Sequence, residues 1–274
     1  MIVVHHLNNS RSQRILWLLE ELNTPYRVET YRRDAKTNLA PSELRAVHPL
    51  GKSPVIQDRD LVLAESGAII EYLLERHGNG RLVPAQGTSE HVRYLHWMHF
   101  AEGTIMLHLV ARLYLGRVGD AAKTMQARVE GMIGDELDLV EAELTRGGHM
   151  AGAEFSAADV QMMFPLEFAT FARLVDARHA RLRDYLARMQ ARPAYRRAVE
   201  RGSAYAFDAA SAHDAAPFPR PSRRRIACLA SPAPARRSST SRGRPGEPDQ
   251  VGLIATPVFA TAIRQTIMSA SQIL

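Results

Sequence analysis

The stretch HPLGKSPVIQDRDLVLAES at 48–66 constrains the fold more than any other part of the chain. Two short apolar runs, Pro54-Val55-Ile56 and Leu61-Val62-Leu63, flank the polar Gln57-Asp58-Arg59-Asp60, the pattern of a β-hairpin with a polar loop. Glu65 and Ser66 then precede Ile69, Ile70, Leu73 and Leu74 at helical spacing, so they stand where a helix begins. Pro54 has no N–H to give and must sit at a strand start, an edge or a bulge. The Ser53-Pro54 bond is open to a cis geometry at a cost of about 0.5–1 kcal/mol. A cis bond would turn the main chain of Val55 outward, its N–H and C=O free to pair with an extended ligand. The Ser66 hydroxyl, with the first N–H groups of the following helix, makes a ready site for a carboxylate.

The rest of the first eighty residues fits around this hairpin. Residues 1–7 read as a first strand. A helix carries Ile15, Leu16, Leu18, Leu19 and Leu22, with Asn23 and Pro25 as stop signals. Tyr26–Tyr31 reads as a second strand, and 34–47 as a loop with a short helix through Ser42–Val47. The hairpin and a helix over about 66–77 follow. The order βαβ then ββα is a thioredoxin-like layout, closed by Asn79-Gly80 and Pro84. From Ser89 the periodicity is helical throughout, with segments at 89–115, 122–146, 157–171, 179–191 and 194–201. Ser156 and Asp159 form a capping-box pattern ahead of the 157–171 helix, which serves folding rather than chemistry. The expected architecture is an α/β domain over 1–80 and an all-α domain over 88–207.

Of the 274 residues, 46% are hydrophobic and 23% charged, the balance of a globular protein. No apolar run approaches the ~20 residues of a membrane span, and MIVVHHL at the start lacks the pattern of a secretory signal. A single cysteine, Cys228, excludes an internal disulfide and a cysteine-based zinc cluster, and fits a cytoplasmic protein. The net charge of +6 resides in 209–274, where nine arginines face three carboxylates. It therefore does not mark the folded part as a binder of nucleic acid. Residues 209–249, rich in Ala, Pro, Ser and Arg, read as disordered, and 208–274 as a tail. Such text suits either an out-of-frame reading of a GC-rich gene or a functional basic extension. Val251–Leu274 is apolar enough for a short amphipathic helix.

Three segments together carry a resemblance: NNSRSQR at 8–14, HPLGKSPVI with AES across 48–66, and FSAADV at 155–160. Residues 1–207 resemble the glutathione transferase family, most of all its serine-type bacterial and fungal members. The resemblance implies a cytosolic homodimer that transfers the glutathione thiolate to small electrophiles. Such an enzyme must lower a thiol pKa from about 8.5 so that thiolate exists at neutral pH. A hydroxyl donor and a helix N-terminus aimed at the sulfur would do so. Ser10, between the first strand and the first helix, takes that role by alignment through Arg14. Asn9 and Ser12 remain alternatives, because the isomerase branch places its serine one step earlier. Lys52 would pair with the glycine carboxylate of glutathione, with Ser53 beside it. Val55 would pair with the cysteinyl unit, Glu65 with the γ-glutamyl ammonium and Ser66 with its carboxylate. Arg11 would assist electrostatically.

The second substrate would lie between the domains, with His99, Glu102 and Met106 as candidates and His108, Leu109 and Tyr114 beside them. His96, His99 and His108 lack the i, i+4 pairing of a helical metal site, and His5-His6 on a strand face opposite ways, so no metal is expected. Glutathione is the only co-substrate implied; neither nucleic acid nor membrane is an expected partner. The alternatives are glutathione-dependent isomerisation, dehalogenation or peroxide reduction, and, in a different class, a non-catalytic relative that binds or regulates. The joint presence of Ser10, Lys52, Glu65 and Ser66 argues against the last.

Overall fold

The computed structural model describes residues 1–35 and 37–205. The expected tail over 208–274, and the helix within it, lie outside the described residues.

Four strands form one sheet: β1 (Ile2–Leu7), β2 (Tyr26–Tyr31), β3 (Val55–Asp58) and β4 (Leu61–Ala64). Their order is β2-β1-β3-β4; β1 and β2 run parallel, and β3 runs antiparallel to both β1 and β4. The parallel pair needs a crossover, which helix α1 (Ser12–Leu22) supplies, while the hairpin needs only the polar turn. Helix α2 (Glu43–Val47) interrupts the long connection to β3, and α3 (Ser66–Leu73) returns across the sheet, ending in a π-helical turn at Leu74–Gly78. This is the expected thioredoxin-like α/β arrangement.

The helical part comprises α4 (Ser89–Phe100), α5 (Met106–Val118), α6 (Lys123–Glu143), α7 (Ala157–Phe171), α8 (Ala180–Gln190) and α9 (Pro193–Gly202). The single helix expected over 89–115 is instead broken by a π-helical turn at Ala101–Ile105. Such a turn adds a residue to the helical repeat and re-aims the side chains it carries. Here it carries Glu102.

One apolar core runs from the sheet through α1 into the helices, including Ile15, Trp17, Ile69, Trp97, Ile133, Leu166 and Tyr185. Helix α1 is buried on nearly every side, and even its polar first turn, Ser12, Gln13 and Arg14, is buried. Trp17 packs edge-on against Tyr195 of α9 with ring centroids 5.2 Å apart, and its indole N–H donates to Glu21. Asp159, fully buried at the start of α7, accepts the Ser156 N–H and hydroxyl on one oxygen and the Met150 N–H and Tyr185 hydroxyl on the other. Both halves of the expected capping box between Ser156 and Asp159 are present, and the Ser156 hydroxyl also donates to the carboxylate.

Helix α9 ends against α1 and β1 at Gly202. A methyl group there would come within 2.3 Å of Gln13 Oε1 and 2.6 Å of Leu16 Cδ1, both on buried side chains. Gly202→Ala is expected to cost about 1–3 kcal/mol by overpacking. A denaturant midpoint that falls at constant slope would report it.

Candidate active site

The Ser53-Pro54 bond is cis. The start of β3, the end of β4 and the first residues of α3 enclose a cavity of about 210 Å³, lined in part by Lys52, Ser53, Glu65, Ser66, Arg11 and Glu102. The sequence assigns five of these, Lys52, Ser53, Glu65, Ser66 and Arg11, to one binding constellation, and all five line this cavity. Glu65 adopts φ 72°, the left-handed region that a non-glycine residue seldom occupies, immediately before the first turn of α3. Ser66 is buried, and its hydroxyl makes no hydrogen bond among the described residues. The Lys52 and Glu65 side chains likewise have no hydrogen-bond or ion-pair partner among them. Three polar groups thus face the cavity with their bonding capacity unspent.

Val55 does not join them. Its side chain is fully buried, and its main chain stands in register with His5 on one side and Ala64 on the other. It sits inside the sheet. The sheet's open end lies two residues earlier, at Ser53, whose hydroxyl donates to the His5 carbonyl at 2.8 Å and accepts the Leu7 N–H at 3.3 Å.

Ser10 stands between β1 and α1, as expected, but lines neither cavity. Asn9, at φ 52°, turns the chain so that Asn9 lines a second, larger cavity while Ser10 faces inward and lines neither. The Ser10 hydroxyl lies 2.7 Å from the Ser12 hydroxyl and accepts the Ser12 N–H at 3.3 Å, so it caps the entry to α1. Its proton is also committed. The Gly202 carbonyl can only accept, so His6 Nε2, 2.7 Å away, carries a proton and donates it. Burial lowers the His6 pKa in spite of that bond, so the ring is neutral and Nδ1 accepts. The Ser12 hydroxyl, 2.9 Å from Nδ1, therefore donates to it, and Ser10 must donate to Ser12. The relay commits the Ser10 proton to Ser12 at 2.7 Å in preference to its longer, 3.5 Å contact with the Ser53 hydroxyl.

Arg11 lines both cavities. Its Nε donates to both Glu102 oxygens at 2.9 Å, and Glu102 also accepts from Arg14. Arg14 is buried and bonds the main-chain and side-chain oxygens of Gln161 on α7 at 2.6 and 2.8 Å. Burial pulls its guanidinium below the ordinary range, and the Glu102 carboxylate opposes that pull. Both guanidinium groups lie over the Phe164 ring, at 5.4 and 5.7 Å. The Arg11–Glu102–Arg14 cluster ties α1 to the π-helical turn and to α7, and forms the wall between the cavities. Glu102 was expected beside the second substrate; it lies instead on the smaller cavity, already paired.

The larger cavity, about 600 Å³, lies between the loop after β2 and helices α5 and α7. Met106, Leu109 and Tyr114 line it as expected, with Phe164 and Phe168 opposite. His99 is exposed and lines neither cavity. His108 is taken up by Glu136 at 2.5 Å. Apart from Arg11, sequence reasoning missed the arginines of this cavity, Arg33, Arg112, Arg117 and Arg173, which come from distant parts of the chain. Among the described residues no three metal-binding side chains converge, and no helix is long and apolar enough to cross a membrane.

The comparisons agree with this geometry. Residues 1–75 match the family model described as "Glutathione S-transferase, N-terminal domain". The chain is 32% identical over 216 residues to glutathione S-transferase 3 of Schizosaccharomyces pombe, covering 73% of this chain and 88% of the relative. It is 33% identical over 190 residues to glutathione S-transferase 1 of Saccharomyces cerevisiae, covering 62% and 81%. The crystal structure of a glutathione S-transferase from Actinobacillus pleuropneumoniae matches with TM-score 0.71 and 33% identity, over 78% of this chain and all of that one. A glutathione transferase homologue from Sulfitobacter, solved with bound glutathione, shares the fold at TM-score 0.64 and 21% identity, over 74% and 98%. Fold, relatives and cavity agree: the chain belongs to the glutathione S-transferase family.

Proposed function

We propose that the chain transfers the thiolate of glutathione to small electrophiles, with glutathione in the 210 Å³ cavity and the electrophile in the larger one. The observation that carries this is the unspent set Lys52, Glu65 and Ser66 on one wall. Their charges and hydrogen-bonding groups complement the three charged groups of the tripeptide. Glu65 takes the γ-glutamyl ammonium. The Ser66 hydroxyl and the N-terminal N–H groups of α3 take the neighbouring carboxylate, which the helix dipole favours. Lys52 takes the glycine carboxylate. Ser53, at the open end of the sheet, takes the main-chain pairing that the sequence assigned to Val55.

A tripeptide laid this way directs its sulfur toward the end of β1, where Arg11 lines both cavities and Asn9 the larger one. The donor there is Asn9, whose side chain carries amide N–H groups, with Ser10 behind it as support for the turn. The sulfur then bonds to the electrophilic carbon, the leaving group departs with its bonding pair, and the thiol proton goes to solvent. The sheet domain over 1–80 would hold glutathione and the helical domain over 88–207 the electrophile. A cytosolic homodimer completes the reading, supported by exposed apolar side chains at Leu61 and Val62 on β4 and Val92 and Leu95 on α4.

The full chain should be retained on immobilised glutathione and turn over 1-chloro-2,4-dinitrobenzene. Ser66→Ala should raise the glutathione Kd about tenfold or more, the effect of losing a hydrogen bond to a charged group. Failure of both retention and turnover would move the chain to the non-catalytic, binding class.

A further inference from the structure

The larger cavity is unusual in its charge. Five arginines line it, at 11, 33, 112, 117 and 173, and no aspartate or glutamate appears among its described lining residues. Two of the five are neutralised: Arg11 by Glu102, and Arg112 by Glu130 at 2.8 Å. The other three have no carboxylate partner among the described residues. Arg33 spends its N–H groups on the main-chain carbonyls of Asn8, Asn9 and Asn38. Burial and the nearby Arg11 both push its pKa below the ordinary range. Arg117 lies 5.7 Å from the centre of the Tyr114 ring, and its buried Nε has no hydrogen-bond partner. Arg173 stands at φ 59° just beyond the end of α7.

The same cavity also has an apolar lining, with Met106, Leu109, Phe164 and Phe168. The rings of Phe164 and Phe168 lie nearly parallel, 6.5 Å apart at 14°. An apolar lining alone would accept any hydrophobic electrophile. Three guanidinium groups without a carboxylate partner in the same lining repel cations and gain from an anion, and a guanidinium matches a carboxylate in geometry as well as charge.

Resting on the transferase reading above, we propose that the electrophile is an aromatic or apolar molecule bearing a carboxylate, its ring against Phe164 and Phe168 and its anion held by Arg117, Arg173 and Arg33. With a chloronitrobenzoate, the glutathione sulfur bonds to the ring carbon bearing chlorine. Chloride leaves with the bonding pair, the thiol proton goes to solvent, and glutathione is the only co-reactant.

The test compares 4-chloro-3,5-dinitrobenzoate with its neutral twin, 4-chloro-3,5-dinitrobenzamide, as substrates of the full chain. The unreactive 3,5-dinitrobenzoate and 3,5-dinitrobenzamide are compared by calorimetry. The carboxylate should show a KM and a Kd about tenfold or more below the amide, the scale of one charge-assisted hydrogen bond. Raising the salt concentration should narrow that ratio. Arg117→Gln and Arg173→Gln, which keep much of the side-chain bulk, should each reduce it by about threefold or more. Equal binding of acid and amide by the wild-type chain would overturn the proposal. So would a loss of glutathione affinity in the variants matching the loss for the benzoate, because the arginines would then serve the tripeptide's own carboxylates. Tight benzoate binding without turnover would support the anion-binding cavity and overturn only the transferase reading.

Discussion

Asp159→Ala is expected to destabilise the protein by about 3–5 kcal/mol, the range for removing one partner of a buried, charged hydrogen-bond network. The carboxylate accepts four donors, two on each oxygen, and none of the four can reach water without moving the start of α7 or Tyr185. Asp159→Asn should do little better. An amide has one oxygen, so whichever way it is turned its NH₂ confronts either the Ser156 N–H and hydroxyl or the Met150 N–H and Tyr185 hydroxyl. A urea titration of both variants would show the loss, and a midpoint within about 1 kcal/mol of the wild type would contradict it. The effect is purely structural, because Asp159 lines neither cavity.

For catalysis, Asn9→Ala should have the largest effect. Loss of a donor aimed at a developing or stored negative charge costs about 10²-fold or more in kcat. The glutathione Kd should stay within about threefold, since Asn9 does not line the cavity that holds the peptide's ends. Ser10→Ala should behave differently. Its proton belongs to the Ser12 hydroxyl, so turnover should fall less than about tenfold, while stability drops by about 1 kcal/mol for the lost bonds at the entry to α1. Measuring kcat, the glutathione Kd and the denaturation midpoint in both variants separates the two residues. A 10²-fold loss in Ser10→Ala with normal turnover in Asn9→Ala would reverse the assignment.

Much of this molecule is legible in its sequence. Turn chemistry around Gln57–Asp60, the apolar alternation of the strands and the helical spacing after Ser66 are local signals, and β1 to β4 and α3 appear where those signals lie. Lys52, Ser53, Glu65 and Ser66 also come together because a hairpin and the helix after it bring neighbours in sequence to one wall. What was not legible depends on non-local placement. Val55 and Ser53 differ by two positions, and only the register with β1 decides which of them is inside the sheet. The π-helical turn carrying Glu102 has no periodic signature. The polar first turn of α1 is buried because α7 and α9 cover it, and Arg14 finds its partners at Glu102 and Gln161, far along the chain. The arginines of the larger cavity come from four separate segments and signal nothing until those segments converge.

The row from Gly202 through His6 and Ser12 to Ser10 has one further consequence. A backbone oxygen in the last turn of α9 has no second role to adopt, so it acts as a fixed pole at one end of a string of groups that could each point either way. Freed from that oxygen, the imidazole could exchange its two tautomers, and every hydroxyl after it could reverse. The orientation of a proton at residue 10 is thus decided some 190 positions later in the chain, by an atom that never meets a substrate.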